Sequence, residues 1–554
     1  MPLDNLIGQL GKKNAAHLLR RATFGPTPQD IENFSTMTVS EALDELFQEV
    51  SAPLPPIDPA TGSTWLNPSA TGANSTQEDL IDYFMAWHLE QMRTSGTSIK
   101  ERLVWLLHTH LPVRRSVVPK SEHLYYQNAL FRYYAFGDFK TLFRKIVVDN
   151  AMMLFIDNAT NDVASPNENF AREMFELYSI GRGSQIEPGN YTHYTEDDIK
   201  AATRVLTGWE VTDQFDHTDP DTELPSARMK TYLSGATEIA NRHDKDAKQF
   251  SSLFQNRIIE PSELFEGWAT REAAEAELDE LIDMIFEQDE TARFLARKVY
   301  RFFVYYDITA EVESQIIETL ATDFRNSNYN IETLVRSLLS SQHFFDTDNM
   351  SAEDNNQGAL IKSPLEVILG LCRMFEVEYP TDVSTLYQTV YQSGLLPIIE
   401  NQGLPFYEPY DVAGFEAYFQ FPNFNRNWIT PYSLAYRYQF SVQILQGINA
   451  NNDSLIIQLD FLDWIENGGH ISDPADANTL VGELSELLFP FPLSTERTDY
   501  FILTILLDDL YPASYWTTRW NAYKADPGPN ESEIRGMVNR LFHGLIQSPE
   551  YQLF

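Results

Sequence analysis

Cysteine is almost missing. Cys372 is the only one in 554 residues, which excludes an intrachain disulfide. It lies in Leu-Gly-Leu-Cys-Arg-Met-Phe, an apolar helical setting, so an inert buried thiol is expected rather than a nucleophile. Positive charge is scarce too, with 40 Lys and Arg against 80 Asp and Glu and a net charge of −40. Such a surface repels phosphate backbones and anionic lipid, and no local basic patch offsets it. Nucleic-acid binding and membrane insertion are therefore not expected. The acidic excess also fits a high-salt habitat, where screening tolerates self-repulsion. No run approaches the ~18 apolar residues of a membrane-spanning helix. The opening Met-Pro-Leu-Asp-Asn-Leu-Ile-Gly has no basic stretch followed by an apolar core, so no Sec leader is visible. Two compartments stay open: the cytoplasm, or export without a visible Sec signal. A Gly-x-Ser-x-Gly elbow, His-Glu-x-x-His, a Walker loop and a dinucleotide fingerprint are all missing. Serine-hydrolase and nucleotide-dependent readings have no motif to rest on.

What is present points to a large helical protein. Hydrophobic residues make up 43% of the chain and charged residues 22%, the balance of a folded core, and 35 Phe with 27 Tyr predict one rich in rings. Helical periodicity recurs along most of the chain. The expected class is mainly α, a multi-helix globular protein with long loops and at most a few short strands, those within 210–262. The polar stretch 346–358 divides it into an N-terminal helical lobe, 1–345, and a C-terminal lobe, 346–554, with an aromatic-rich loop at 404–431.

The stretch 165–183 organises the reading. Ser165 fits an N-cap, Pro166 the first helical position and Glu168 a capping-box carboxylate, while Gly181 or Gly183 ends the helix. Phe170, Ala171, Met174, Phe175, Leu177 and Tyr178 cover a wide apolar arc. Asn169, Arg172, Glu173 and Glu176 form a narrow polar stripe opposite. Facing solvent, that stripe is scaffold; facing a cleft, it is the best active-site candidate in the chain. Ser98 with Glu101, and Thr195 with Asp198, repeat the capping signal.

Several motifs, taken together, resemble the bacterial family called domain of unknown function 1800. They are His17-Leu-Leu-Arg-Arg-Ala-Thr-Phe-Gly-Pro26, Asn167-Glu-Asn-Phe-Ala-Arg-Glu173, Tyr194-Thr-Glu-Asp-Asp198 and Leu206-Thr-Gly-Trp209. Phe294-Leu-Ala-Arg-Lys298, Gly403-Leu-Pro-Phe-Tyr-Glu-Pro-Tyr-Asp-Val-Ala-Gly414 and Ser548-Pro-Glu-Tyr551 follow. The resemblance implies a large α-rich protein, often exported and commonly encoded beside a second family of unknown function, number 1501, similar to sulfatases. It implies no activity. The chain departs from the pattern at Phe415, where a Trp is usual, and in lacking a visible export signal.

Carboxylates and imidazoles carry the chemical candidates. Glu173 and Glu176, three apart, can reach one cation or share proton work. The Glu-x-x-His segments of di-iron bundles are missing. His108 and His110 lie about 200° apart on a continuous helix and serve one metal only if the helix frays before Pro112. His243-Asp244 sits in a polar irregular stretch where an acid–base pair or a solvated turn are both open. His193 and His217 are also in loops. Thr207-Gly208-Trp209 reads as a helix stop with an anchoring indole.

Two functions follow. One is a metal-assisted or general acid–base hydrolase, with Glu173, Glu176, Arg172, Asn169, His243 and Asp244 as catalytic candidates. Its cofactor would be a divalent metal ion on His108, His110, Glu173 and Glu176. The other is a non-catalytic assembly partner of the sulfatase-like neighbour, docking through the aromatic loop.

Overall fold

The computed structural model describes residues 3–66, 74–212, 215–348, 357–448 and 457–554. Helices dominate, and their starts follow local chemistry. Thr27 with Asp30, Thr38 with Glu41, Thr76 with Asp79 and Thr195 with Asp198 each close a reciprocal capping box. Strands among the described residues occur only as two-stranded antiparallel pairs, most of them hairpins between Trp209 and Ala269. The chain is mainly α.

Two caps differ from the sequence expectation. The helix at 165–183 begins at Asn169, and Ser165 instead bridges to Asp162. The Asn167 side chain holds the start, accepting from the Asn169 backbone N–H at 3.0 Å and donating to Thr160 at 3.0 Å. Ser98 likewise forms no capping box with Glu101 in the helix Lys100–His110, because the Glu101 carboxylate is taken by Arg132. A buried ion pair outweighs a cap contributing about 1 kcal/mol.

Lys100–His110 is buried on every side from Glu101 onward and runs through the middle of the core. Against it pack the helix Asp289–Phe303 and, through Arg102–Glu366, the helix Pro364–Met374. Side chains before and after 346–358 belong to one continuous apolar core. Residues 349–356 of that polar stretch lie outside the described residues.

The paired arginines of the N-terminal motif have a structural task. Arg20 donates to the carbonyls of Glu486, Leu487 and Phe489 where the helix Ala477–Leu488 ends. Arg21 donates to Phe303 and Val304 at 3.0 Å, at the end of Asp289–Phe303. Each cation therefore covers orphan carbonyls and the negative end of a helix dipole. Cys372 is buried and its thiol is pushed up to about 11, the inert state expected.

Asp149 caps the helix Asn150–Phe155, accepting from the Met152 N–H at 2.9 Å and from Gln127 at 3.0 Å. Burial nonetheless pushes its carboxyl up to about 7. Between the unfolded value near 3.9 and that folded value the native state binds more protons, so stability falls as pH rises through this window. Asp149→Asn keeps the cap without the charge. In urea titrations the stability of the variant relative to the wild type should grow steadily between pH 4 and pH 7 and level off by pH 8.

Candidate functional site

The helix Asn169–Glu173 continues into a π-helical turn, Met174–Ser179. Ile180 N–H bonds the Phe175 carbonyl five residues back, and the Ser179 hydroxyl bonds the Met174 carbonyl at 2.6 Å. Widened turns of this kind recur at functional sites, because they re-aim side chains that a regular helix would keep in register. Gly181 stops the helix at φ +68°, where a Cβ would meet the Phe294 ring at 3.0 Å. The apolar arc is buried, with Leu177 half-buried.

The polar stripe divides. Asn169 is exposed. Arg172 bridges Glu168 at 3.1 Å and Glu196, on the helix Glu196–Val205, at 2.8 Å, tying two helices together. Glu176 accepts from the Tyr194 hydroxyl and faces Arg182 at 3.7 Å. Glu173 is half-buried, and among the described residues no hydrogen bond or ion pair holds its carboxyl. Burial, then the charge of Glu176, pushes that carboxyl up to about 7 against the opposing pull of Arg172. Asp411 adds to the same field from the 404–431 loop. The loop is fastened here by the Tyr178 hydroxyl, which donates to the Val412 carbonyl at 3.0 Å.

The histidines lie elsewhere. Lys100–His110 stays helical to its last residue, so His108 and His110 diverge. The His108 ring sits 4.1 Å from the Tyr407 ring centroid and 5.3 Å from that of Trp105, and neither of its nitrogens has a partner. His110 Nε2 lies 3.1 Å from the Tyr178 carbonyl. His243 is fully buried with Nδ1 3.0 Å from the Thr207 carbonyl and Nε2 3.2 Å from Glu277, whose other oxygen accepts from Lys248. Asp244 is clamped by Arg204 at 2.7 Å. Gly208, at φ +89°, lets this segment approach: a Cβ there would lie 2.8 Å from the His243 backbone nitrogen. His193 closes on the Ile180 and Gly181 carbonyls at 3.1 Å, and His217 on Ser226.

The structure thus brings Glu173 and Glu176 together but does not join His108, His110, His243 or Asp244 to them. Among the described residues no three His, Cys, Asp or Glu side chains gather as a metal-holding group. The metal set drawn from the sequence needed the helix to fray before Pro112, and backbone hydrogen bonding persists through that turn.

Burial drives the His108 pKa down to about 3. The unfolded chain binds the proton first, so His108 weakens the fold as pH drops from about 6.5 toward 3. His108→Phe removes both unpartnered nitrogens from this ring cluster. Thermal unfolding at pH 5 should shift upward relative to the wild type, and by less at pH 8.

Sequence reasoning missed Lys298, Arg301 and Asn425, which line a small cavity together with His110. One signal existed: Lys298 and Arg301 have no acidic residue three or four positions away on their helix, so neither has the usual helical partner.

The family model for a protein of unknown function, domain of unknown function 1800, matches residues 17–553. The chain belongs to that family. Comparison with curated proteins and with solved structures gives no match.

Proposed function

We propose that the protein is a hydrolase working by general acid–base catalysis at the Glu173–Glu176 pair. The observation that carries this reading is the unpartnered Glu173 carboxyl, half-buried beside a second carboxylate that Tyr194 and Arg182 hold in place. Two neighbouring acids in unequal surroundings are the usual way to keep one protonated and one charged near neutral pH. Glu173 would give its proton to a leaving group. Glu176, fixed in position, would accept a proton from the attacking water. Arg172 is engaged by Glu168 and Glu196 and serves as a brace. His243 is held by Thr207 and Glu277 and Asp244 by Arg204, and neither takes part in this scheme. A divalent metal remains compatible with the carboxylate pair only if substrate or water completes its shell.

The test is a chromogenic panel of esters, glycosides and phosphate and sulfate esters, with pH–rate profiles. The reading expects turnover of one class with kcat falling above about pH 7, as Glu173 loses its proton. An absence of turnover across the panel, or a rate indifferent to Glu173, contradicts it.

A second reading, assembly with a sulfatase-like partner, draws support from the same loop. Most of its rings are buried, but Phe421 is 80% and Tyr410 70% exposed, more than packing requires. Replacing both by serine should abolish co-purification with such a partner and leave hydrolysis intact.

A further inference from the structure

The helix Asp289–Phe303 carries Lys298 and Arg301 to a cavity of about 40 Å³ that also borders the helix Lys100–His110 and the segment 417–428. One water needs roughly 10–15 Å³ of such space, so the cavity takes about three waters or one small polyatomic ion.

Its charge is unbalanced. Glu366 is the acid on its wall, and it is bound to Arg102. Among the described residues Lys298 has neither a hydrogen bond nor an ion pair. Arg301 donates to the Tyr306 carbonyl at 3.2 Å and stacks 4.9 Å from the Phe424 ring centroid, again with no carboxylate in contact. Asp307 and Glu313 act on it only from a distance, and Glu313 is bound to Arg297. Two further residues on the wall are buried with an unused polar atom, Asn425 at Nδ2 and His110 at Nδ1. Burial drags Lys298 down to about 8 and Arg301 to about 10, the direction that uncompensated cations take. In a chain with twice as many acids as bases, two adjacent half-buried cations with no acid in contact are an anomaly. Drawing a cation partly out of water without a partner is unfavourable, and the balance is restored if the counter-charge belongs to a ligand.

We infer that this cavity is a binding site for a small oxyanion, phosphate or sulfate, with Lys298 and Arg301 as its charge partners and Asn425 as an added donor. The ion is either free or the terminal group of a larger molecule whose remainder lies outside the cavity. The site stands apart from the Glu173–Glu176 pair and does not depend on catalysis there.

Isothermal titration of the full chain at pH 7 tests it, using inorganic phosphate, sulfate and glycerol phosphate against potassium chloride at equal ionic strength. At least one oxyanion should bind saturably, and Lys298→Met should weaken it tenfold or more. Tighter binding of the free ions, or of the ester, tells which source is used. Lys298→Met should fold at least as well as the wild type without anion, since it removes an unpaired charge. Should it fail to fold, Arg301→Gln, which keeps an N–H donor for Tyr306, replaces it. No saturable binding in the wild type, or equal binding in the variant, overturns the inference. So does an oxyanion-induced rise in unfolding temperature that persists unchanged in the variant, because general salt exclusion acts without a site.

Discussion

Glu277→Leu should lower stability by about 3–5 kcal/mol, the largest loss expected from any single substitution outside the apolar core. Glu277 is fully buried between Lys248 and His243, themselves fully buried. Burial lowers the Lys248 pKa, and the Glu277 charge opposes that shift. Removing the acid strands an ammonium group with only the Asp244 carbonyl for company. Removing both charges is a different matter. A well-packed apolar pair often replaces a buried ion pair at little loss, so Glu277→Leu with Lys248→Met should recover most of the stability. Urea midpoints of the single and double variants measure the difference. Equal losses in both would mean that packing, not charge, holds this cluster.

Glu173→Gln should reduce turnover by roughly 10²–10⁴-fold, the usual contribution of one positioned proton donor. The amide keeps the shape of the carboxyl but has no proton to give. The same substitution should not harm the fold. A carboxyl raised above its unfolded value stabilises the native state less as pH climbs from about 4.3 to about 7. The glutamine variant escapes that loss, so its stability relative to the wild type should grow between pH 5 and pH 8. Loss of activity combined with gain of stability at high pH is the signature of a functional group held under strain. A merely structural glutamate would lose both.

The helices were readable because their starts are written locally. Thr195 and Asp198 stand three residues apart and need nothing else. Ser98 and Glu101 have the same spacing, yet Arg132, 31 positions on, takes the glutamate. The candidate site follows the same rule. Glu173 and Glu176 share a helix face by spacing alone, and the structure keeps them neighbours. His243-Asp244 resembled an acid–base pair only because its real partners, Thr207, Glu277 and Arg204, come from other elements. The π-turn at Met174–Ser179 has no signature in residue order, since it arises from how the segment docks. Lys298 and Arg301 read as ordinary helix cations in the sequence, because the cavity beside them, whose acid Glu366 is taken by Arg102, is built from distant segments.

Catalysis at the Glu173–Glu176 pair turns on the protonation of one carboxyl. Carbon-13 NMR of protein labelled at glutamate Cδ, recorded from pH 4 to pH 9 for the wild type and Glu173→Gln, isolates that resonance by difference. A midpoint near 7, moving downward in Glu176→Gln as the neighbouring charge disappears, is the predicted result. A midpoint near the ordinary ~4.3, indifferent to Glu176, would contradict it.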